Sequence, residues 1–170
     1  MLSGASYGGR LMGSLQHRYT HALDTVFAKV SDGEHLRRRS EASGHLNIQL
    51  SSSSAGGVVE IRLERDIESS IPSFAKRFIN PVNHVVDVIR WRDVDGVKKG
   101  TYDVTVSSRI RVRGEMTLEA DGDGCLYTDT CTPSVDMPLI GKKISKLVSE
   151  ETVKAIKEDC RFTEREISAG

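Results

Sequence analysis

Glu151 is the residue whose type and position most invite chemistry. On a helical projection of the C-terminal segment it falls between Leu147, Val148 and Ala155, on the apolar stripe of an expected helix. A carboxylate on such a stripe has to be paired, protonated or wetted. It could anchor a ligand hydroxyl or amine, or act as a general acid or base. Pairing with Arg90 or Arg113 is the structural alternative. Tyr19 and His17 share one face of the first expected strand. They would add polar contacts there, or complete an acid–base pair with Glu151 for a cyclase- or dehydratase-like reaction.

Other chemistries find no support in the spacing. His17 and His21 are four residues apart in a strand, about 13 Å at the standard rise, which is too far to share one metal. The five histidines show no HxH pattern and no helical HxxxH with a third ligand, so no metal site is expected. Cys125 and Cys131 are too far apart along one strand to bridge and lack CxxC spacing, and Cys160 lies on the expected helix. All three read as small buried hydrophobes. Asp121-Gly122-Asp123-Gly124 lacks the further ligands and closing Glu of a calcium loop and reads as a hairpin turn. There is no nucleophile elbow, phosphate loop or dinucleotide fingerprint, and no cofactor is implied.

Aromatic and basic residues supply the remaining candidates. Phe74 and Phe78, at i,i+4 after Pro72, would present two rings on one side of a helical turn, as a lid or as edge packing. Trp91 and Tyr102 are expected in the core, with partners for their polar tips. Arg37-Arg38-Arg39-Ser40 could touch an anionic membrane surface or carry a phosphate on Ser40, against the plainer reading of a solvated helix face.

A chain of 170 residues, 38% hydrophobic and 28% charged, suits one domain with a substantial core. Its 24 basic and 24 acidic residues cancel, which argues against a nucleic-acid binder. No apolar run approaches the roughly 18–20 residues of a membrane span, and residues 1–13 lack a signal-type apolar region. The expected setting is cytoplasmic. Residues 1–13 read as a flexible extension, with Met1 and Met12 both candidate starts, then a domain over 14–165 and a tail over 166–170.

The periodicity orders the elements. A short strand at Leu15–His21 is followed by a helix capped by Asp24, then by a second short helix opened by Ser31 and Glu34 and closed by Gly44. Period-two alternation then begins: Leu46, Ile48 and Leu50, a turn at Ala55-Gly56-Gly57, and Val59, Ile61 and Leu63. Further strands follow at Val85–Arg92, at Tyr102–Val106, at Ile110–Leu118 and from about Cys125 to Val135. A helix from about Lys142 to Arg165 carries Ile144, Leu147, Val148, Ala155 and Phe162 on one stripe. This β-α-α-β6-α order predicts an α+β fold, in which a curved seven-stranded antiparallel sheet wraps on the long C-terminal helix. A straight helix meets a curved sheet along a line and leaves space beside it. The residues expected to line that space are Tyr19, Phe74, Phe78, Trp91, Tyr102, Met116, Leu118, Leu147, Val148, Glu151 and Ala155.

The order of elements resembles the START and pollen-allergen-related helix-grip (SRPBCC) superfamily. Within it, Tyr19 through Phe27, Ile71–Phe74, Trp91, Arg113–Leu118 and Pro138–Ile144 are similar to an actinobacterial family of uncharacterised domains. The resemblance implies a cavity for a hydrophobic small molecule, lipid- or polyketide-like, and brings no catalytic residues. A binding or carrier module without stable membrane insertion is the first expectation. An enzyme of the same fold and a protein-interaction module are the alternatives.

Overall fold

The computed structural model describes residues 6–7 and 10–170, with side chains from residue 12 onward. Its elements are β1 (Ser6–Tyr7), β2 (Arg10–Leu11), β3 (Gly13–Tyr19), α1 (Leu23–Val30), α2 (Gly33–Ala42), β4 (Leu46–Ala55), β5 (Val58–Glu68), β6 (Val82–Val94), β7 (Val97–Thr105), β8 (Ile110–Asp121), β9 (Gly124–Val135) and α3 (Gly141–Ala169). β1 and β2 pair with each other within the stretch expected to be an extension, of which residues 1–5 and 8–9 lie outside the described residues and Gly13 already belongs to β3. The other seven strands form one antiparallel sheet in the order β3-β9-β8-β7-β6-β5-β4. This is the helix-grip architecture.

Alternation of side chains sets the register. Along β8, Ile110, Val112, Gly114, Met116 and Leu118 are buried and the residues between them face outward, so the apolar set lies on the concave side. The β4–β5 and β6–β7 hairpins turn on Gly56-Gly57 and Asp95-Gly96, all four with positive φ, as a two-residue turn matched to strand twist requires. The helix caps differ from expectation. Ala22 occupies the N-cap of α1, and Asp24 sits in the first turn, where its charge favours the positive end of the helix dipole. Ser31 closes α1, its hydroxyl donating to the Phe27 carbonyl at 2.6 Å, and Asp32 caps α2 by accepting from the Glu34 amide at 3.1 Å. Gly44 follows α2 with φ +79, as its spacing predicted.

α3 runs for 29 residues, about 43 Å at 1.5 Å per residue, and extends past Arg165 to Ala169. Its buried face is Ile144, Ser149, Val153, Cys160 and Thr163. That stripe is rotated from the apolar one, because small and hydroxyl side chains take the inward positions. Among the sheet strands α3 packs on β3 and β9; α1 packs on β8 and β9, and α2 on β4 and β5. α1 also reaches β6 and β7 through Phe27, whose ring meets Trp91 edge-on at 5.7 Å and lies beneath the Lys98 ammonium. The main core joins Tyr19, Val26, Leu36, Ile61, Leu63, Trp91, Leu118 and Val153. A second cluster at the start of α3 joins Ala75, Ile110, Met137 and Ile144, with Ile71 and Phe74 packed against it.

Candidate functional site

The concave face carries polar groups at its centre. β9 places Cys125, Tyr127, Asp129 and Cys131 inward, and β6 places Val85, Asp87, Ile89 and Trp91 inward. Asp129 is 2% exposed and accepts two hydrogen bonds, from the Tyr102 hydroxyl at 2.8 Å and the Tyr127 hydroxyl at 2.7 Å. Burial pushes its carboxyl up to about 6, although the two phenols favour the charged form. The same burial, with Asp129 beside them, raises both tyrosines far above their ordinary range, so they remain donors.

Asp87 lies on the same face. Its carboxylate stands 3.8 Å from the Arg65 guanidinium, too long for a hydrogen bond, and both side chains are nearly nine-tenths buried. Burial pushes Asp87 up to about 6, with Arg65 and Arg39 opposing it. Arg65 is lowered by burial. Behind them Arg39 of α2 pairs with Asp159 of α3 at 3.1 Å, and His45 is pushed down to about 4 by burial and by Arg65 and Arg39. Two arginines and three aspartates thus gather in one largely buried region between β5, β6 and β9 and the helices α2 and α3. Among the described residues, Arg65 Nε and Nη1, Asp87 Oδ1 and Trp91 Nε1 have no hydrogen-bond partner. Buried polar atoms ordinarily have one. Chemically, Arg65 offers donors to an oxygen and Asp87 offers an acceptor.

The sequence pattern of the family described as "Protein of unknown function (DUF2505)" matches residues 14–167. The chain belongs to that family. No curated protein matches the sequence. Solved structures similar to this DUF2505 domain include a protein of Thermus thermophilus, at 13% identity and TM-score 0.65 over 93% of this chain and 97% of that one. Another is the STAR-related lipid transfer protein (fragment 25–204) of Xanthomonas axonopodis, at 16% identity and TM-score 0.60 over 98% of both chains. A third is the di-domain ARO/CYC StfQ of the steffimycin biosynthetic pathway, at 10% identity and TM-score 0.62 over 91% of this chain and 50% of that one. At these identities the likeness shows the helix-grip fold.

The sequence-predicted residues of the DUF2505 domain divide into two groups. Tyr19, Trp91, Tyr102, Met116 and Leu118 are buried on the concave side, and Leu147 and Val148 are partly buried on α3. Only Tyr102 of these belongs to the aspartate cluster. The hydroxyl of Tyr19 lies beside Cys160 and Thr163, and its ring meets His17 edge-on at 4.6 Å. Glu151 and Ala155 are exposed, which corrects the projection that put them on the sheet-facing stripe. No acid–base pair of Glu151 with Tyr19 or His17 forms. The arginines considered for Glu151 are engaged elsewhere, Arg90 with Glu60 and Arg113 with Asp103. Phe74 packs beneath Lys143, whose ammonium lies 4.1 Å from the ring centroid, whereas Phe78 is exposed. Arg37, Arg38 and Arg39 pair with Glu34, Glu166 and Asp159, so the basic run is a set of internal ties.

Sequence reading missed Arg65, Asp87, Tyr127 and Asp129. Their signal was parity: Arg65 is in phase with Ile61 and Leu63, Asp87 with Val85 and Ile89, and Asp129 with Cys125 and Cys131. The concave face, expected to be apolar, is therefore polar at its centre. A separate open groove of about 1030 Å³ lies mainly on the outer face of the sheet, lined by Arg90, Thr101, Arg111, Thr132 and Lys142 among others.

Proposed function

We propose that this domain binds a hydrophobic small molecule between the concave sheet face and the helices, with the polar end of the molecule directed at Arg65 and Asp87. The observation that carries this is the unpartnered guanidinium and carboxylate atoms, buried on the concave face beside the apolar Leu63, Val85 and Ile89 of the same strands. An apolar lining with a few convergent polar groups is the usual make-up of a small-molecule site. A matching ligand has an apolar body and an end carrying both an acceptor and a donor, such as a hydroxyl beside a carbonyl or a carboxylic acid. A STAR-related lipid transfer protein and an ARO/CYC protein share the fold, and both names accord with ligands of that shape. The role is binding or carriage of a lipid- or polyketide-like molecule.

Native mass spectrometry of freshly purified protein, with thermal shift across fatty acids, sterols and aromatic polyketides, tests the proposal. Wild-type protein is expected to retain or respond to at least one such compound, and Arg65→Met is expected to lose that response. A response unchanged in Arg65→Met, or none across the panel, would refute it.

A further inference from the structure

The end of the molecule opposite the β4–β5, β6–β7 and β8–β9 turns has a composition that folding does not explain. Because the strands are antiparallel, the β5–β6 connection, the β7–β8 connection and the β9–α3 connection gather there. Backbone hydrogen bonds tie them, from the Ser69 amide to Pro81 and from the Asp136 amide to Arg109, each at 2.9 Å. Leu139 stands at the tip, 109% exposed and with φ +69. A leucine there buries nothing in the fold and holds a left-handed backbone that costs about 1–2 kcal/mol for a residue with a Cβ. Phe78 and Val82 are exposed at the same end.

The charges there point the same way. Lys76, Arg77, Arg109, Lys142 and Lys143 are exposed, against the carboxylates of Glu68 and Asp136, in a chain whose net charge is zero. Lys142 and Lys143 occupy the first turn of α3, which has no acidic residue and no side-chain cap. Cations there oppose the helix dipole. An exposed, strained leucine and lysines on the wrong end of a helix both cost stability, and both suit a surface that meets an anionic, apolar partner.

We propose that this end docks on an anionic lipid bilayer, with Leu139 entering the interface and Lys76, Arg77, Arg109, Lys142 and Lys143 facing the headgroups. The inference rests on the carrier reading, since an apolar cargo is exchanged most directly with an apolar phase. An exposed apolar tip among exposed cations, with few carboxylates near it, matches the charge and the apolar depth of an anionic bilayer surface. No described helix is long and apolar enough to cross a membrane, so the contact is peripheral.

The test is co-sedimentation of the full chain with phosphatidylcholine vesicles and with vesicles of seven parts phosphatidylcholine to three parts phosphatidylglycerol. Wild type is expected to pellet with the anionic vesicles, to be released by molar salt, and to stay in solution with the zwitterionic ones. Each cation removed should weaken partition about fivefold, so Lys142→Gln with Lys143→Gln should weaken it roughly 25-fold. Leu139→Asn is the decisive variant, because asparagine tolerates positive φ and should melt no lower than wild type. It is expected to lose about tenfold in vesicle partition while any compound that co-purifies remains bound in native mass spectra. Absence of wild-type binding, equal binding to both vesicle types, or an unaltered Leu139→Asn would overturn the docking proposal. The cavity reading stands or falls separately on ligand retention.

Discussion

Tyr102 reaches Asp129 by crossing directly over Gly114. The two residues lie on β7 and β9, with β8 between them, and Gly114 is paired with Tyr102 on one side and Cys131 on the other. A Cβ built on Gly114 would overlap the Tyr102 ring, so the glycine is the gap through which the phenol passes. The hydroxyl then donates to Asp129 at 2.8 Å. A small residue on the middle strand is the condition for a hydrogen bond that skips a strand.

Gly114→Ala should therefore behave as a lesion of the aspartate site rather than as a simple change in backbone freedom. Displacing the ring removes one of the two donors to a buried carboxylate, which costs about 1–3 kcal/mol, and overpacking adds a similar amount. Tyr102→Phe should cost only the hydrogen-bond part. Combining Gly114→Ala with Tyr102→Ala should cost less than the sum of the two, because the clash disappears with the ring. Urea unfolding of wild type and these variants, with Tyr102→Ala alone to close the cycle, measures this. Strict additivity would mean that the ring and the glycine are independent.

The fold was legible in the sequence because period-two alternation, turn glycines and one long amphipathic segment agree with one another. The site was legible only in part. Asp87 and Asp129 could be read as inward by counting from Ile89 and Cys125, but nothing local shows that Asp87 meets Arg65. Those two are diagonal neighbours, since Asp87 is paired with Leu63 and Arg65 with Val85. Glu151 misled for a definable reason. Ser149, Cys160 and Thr163 form the inward face of α3, and a stripe drawn through the larger apolar residues rotates the helix far enough to bring an exposed carboxylate inside.

The Arg65–Asp87 pair separates stability from binding. Arg65→Met leaves Asp87 buried without its cation and should cost about 3–5 kcal/mol. Asp87→Val leaves Arg65 in the same position and should cost a comparable amount. The double variant Arg65→Met with Asp87→Val buries neither charge and should recover most of that loss, with a coupling energy of at least about 2 kcal/mol in denaturant melts. Recovery of stability without recovery of ligand retention is the expected signature of a polar anchor. A double variant that both folds well and keeps its ligand would show that the pair serves packing alone.

The same carboxyls set the pH dependence. Asp87 and Asp129 have folded values near 6 because they are buried, against an unfolded value of about 3.9. A raised carboxyl means that the folded state holds its proton longer. The associated stability is present below about pH 4 and is lost as pH rises through 6, by up to about 3 kcal/mol for each group. Glu166 acts in the opposite sense. Its hydrogen bond to Arg38, assisted by His35 and against some burial, lowers it to about 2, so its contribution is lost as pH falls from about 4 towards 2. His45, pushed down to about 4 by burial and by Arg65 and Arg39, opposes the aspartates, because its contribution is lost as pH falls from about 6.5 towards 4. The melting temperature of wild type should therefore vary little between about pH 4 and 7. Asp87→Asn with Asp129→Asn should leave a melting temperature that rises with pH across that range, and Glu166→Gln should flatten only the acid limb below about pH 4. A double asparagine variant with the wild-type slope between pH 5 and 7 would mean that neither aspartate carries the raised value.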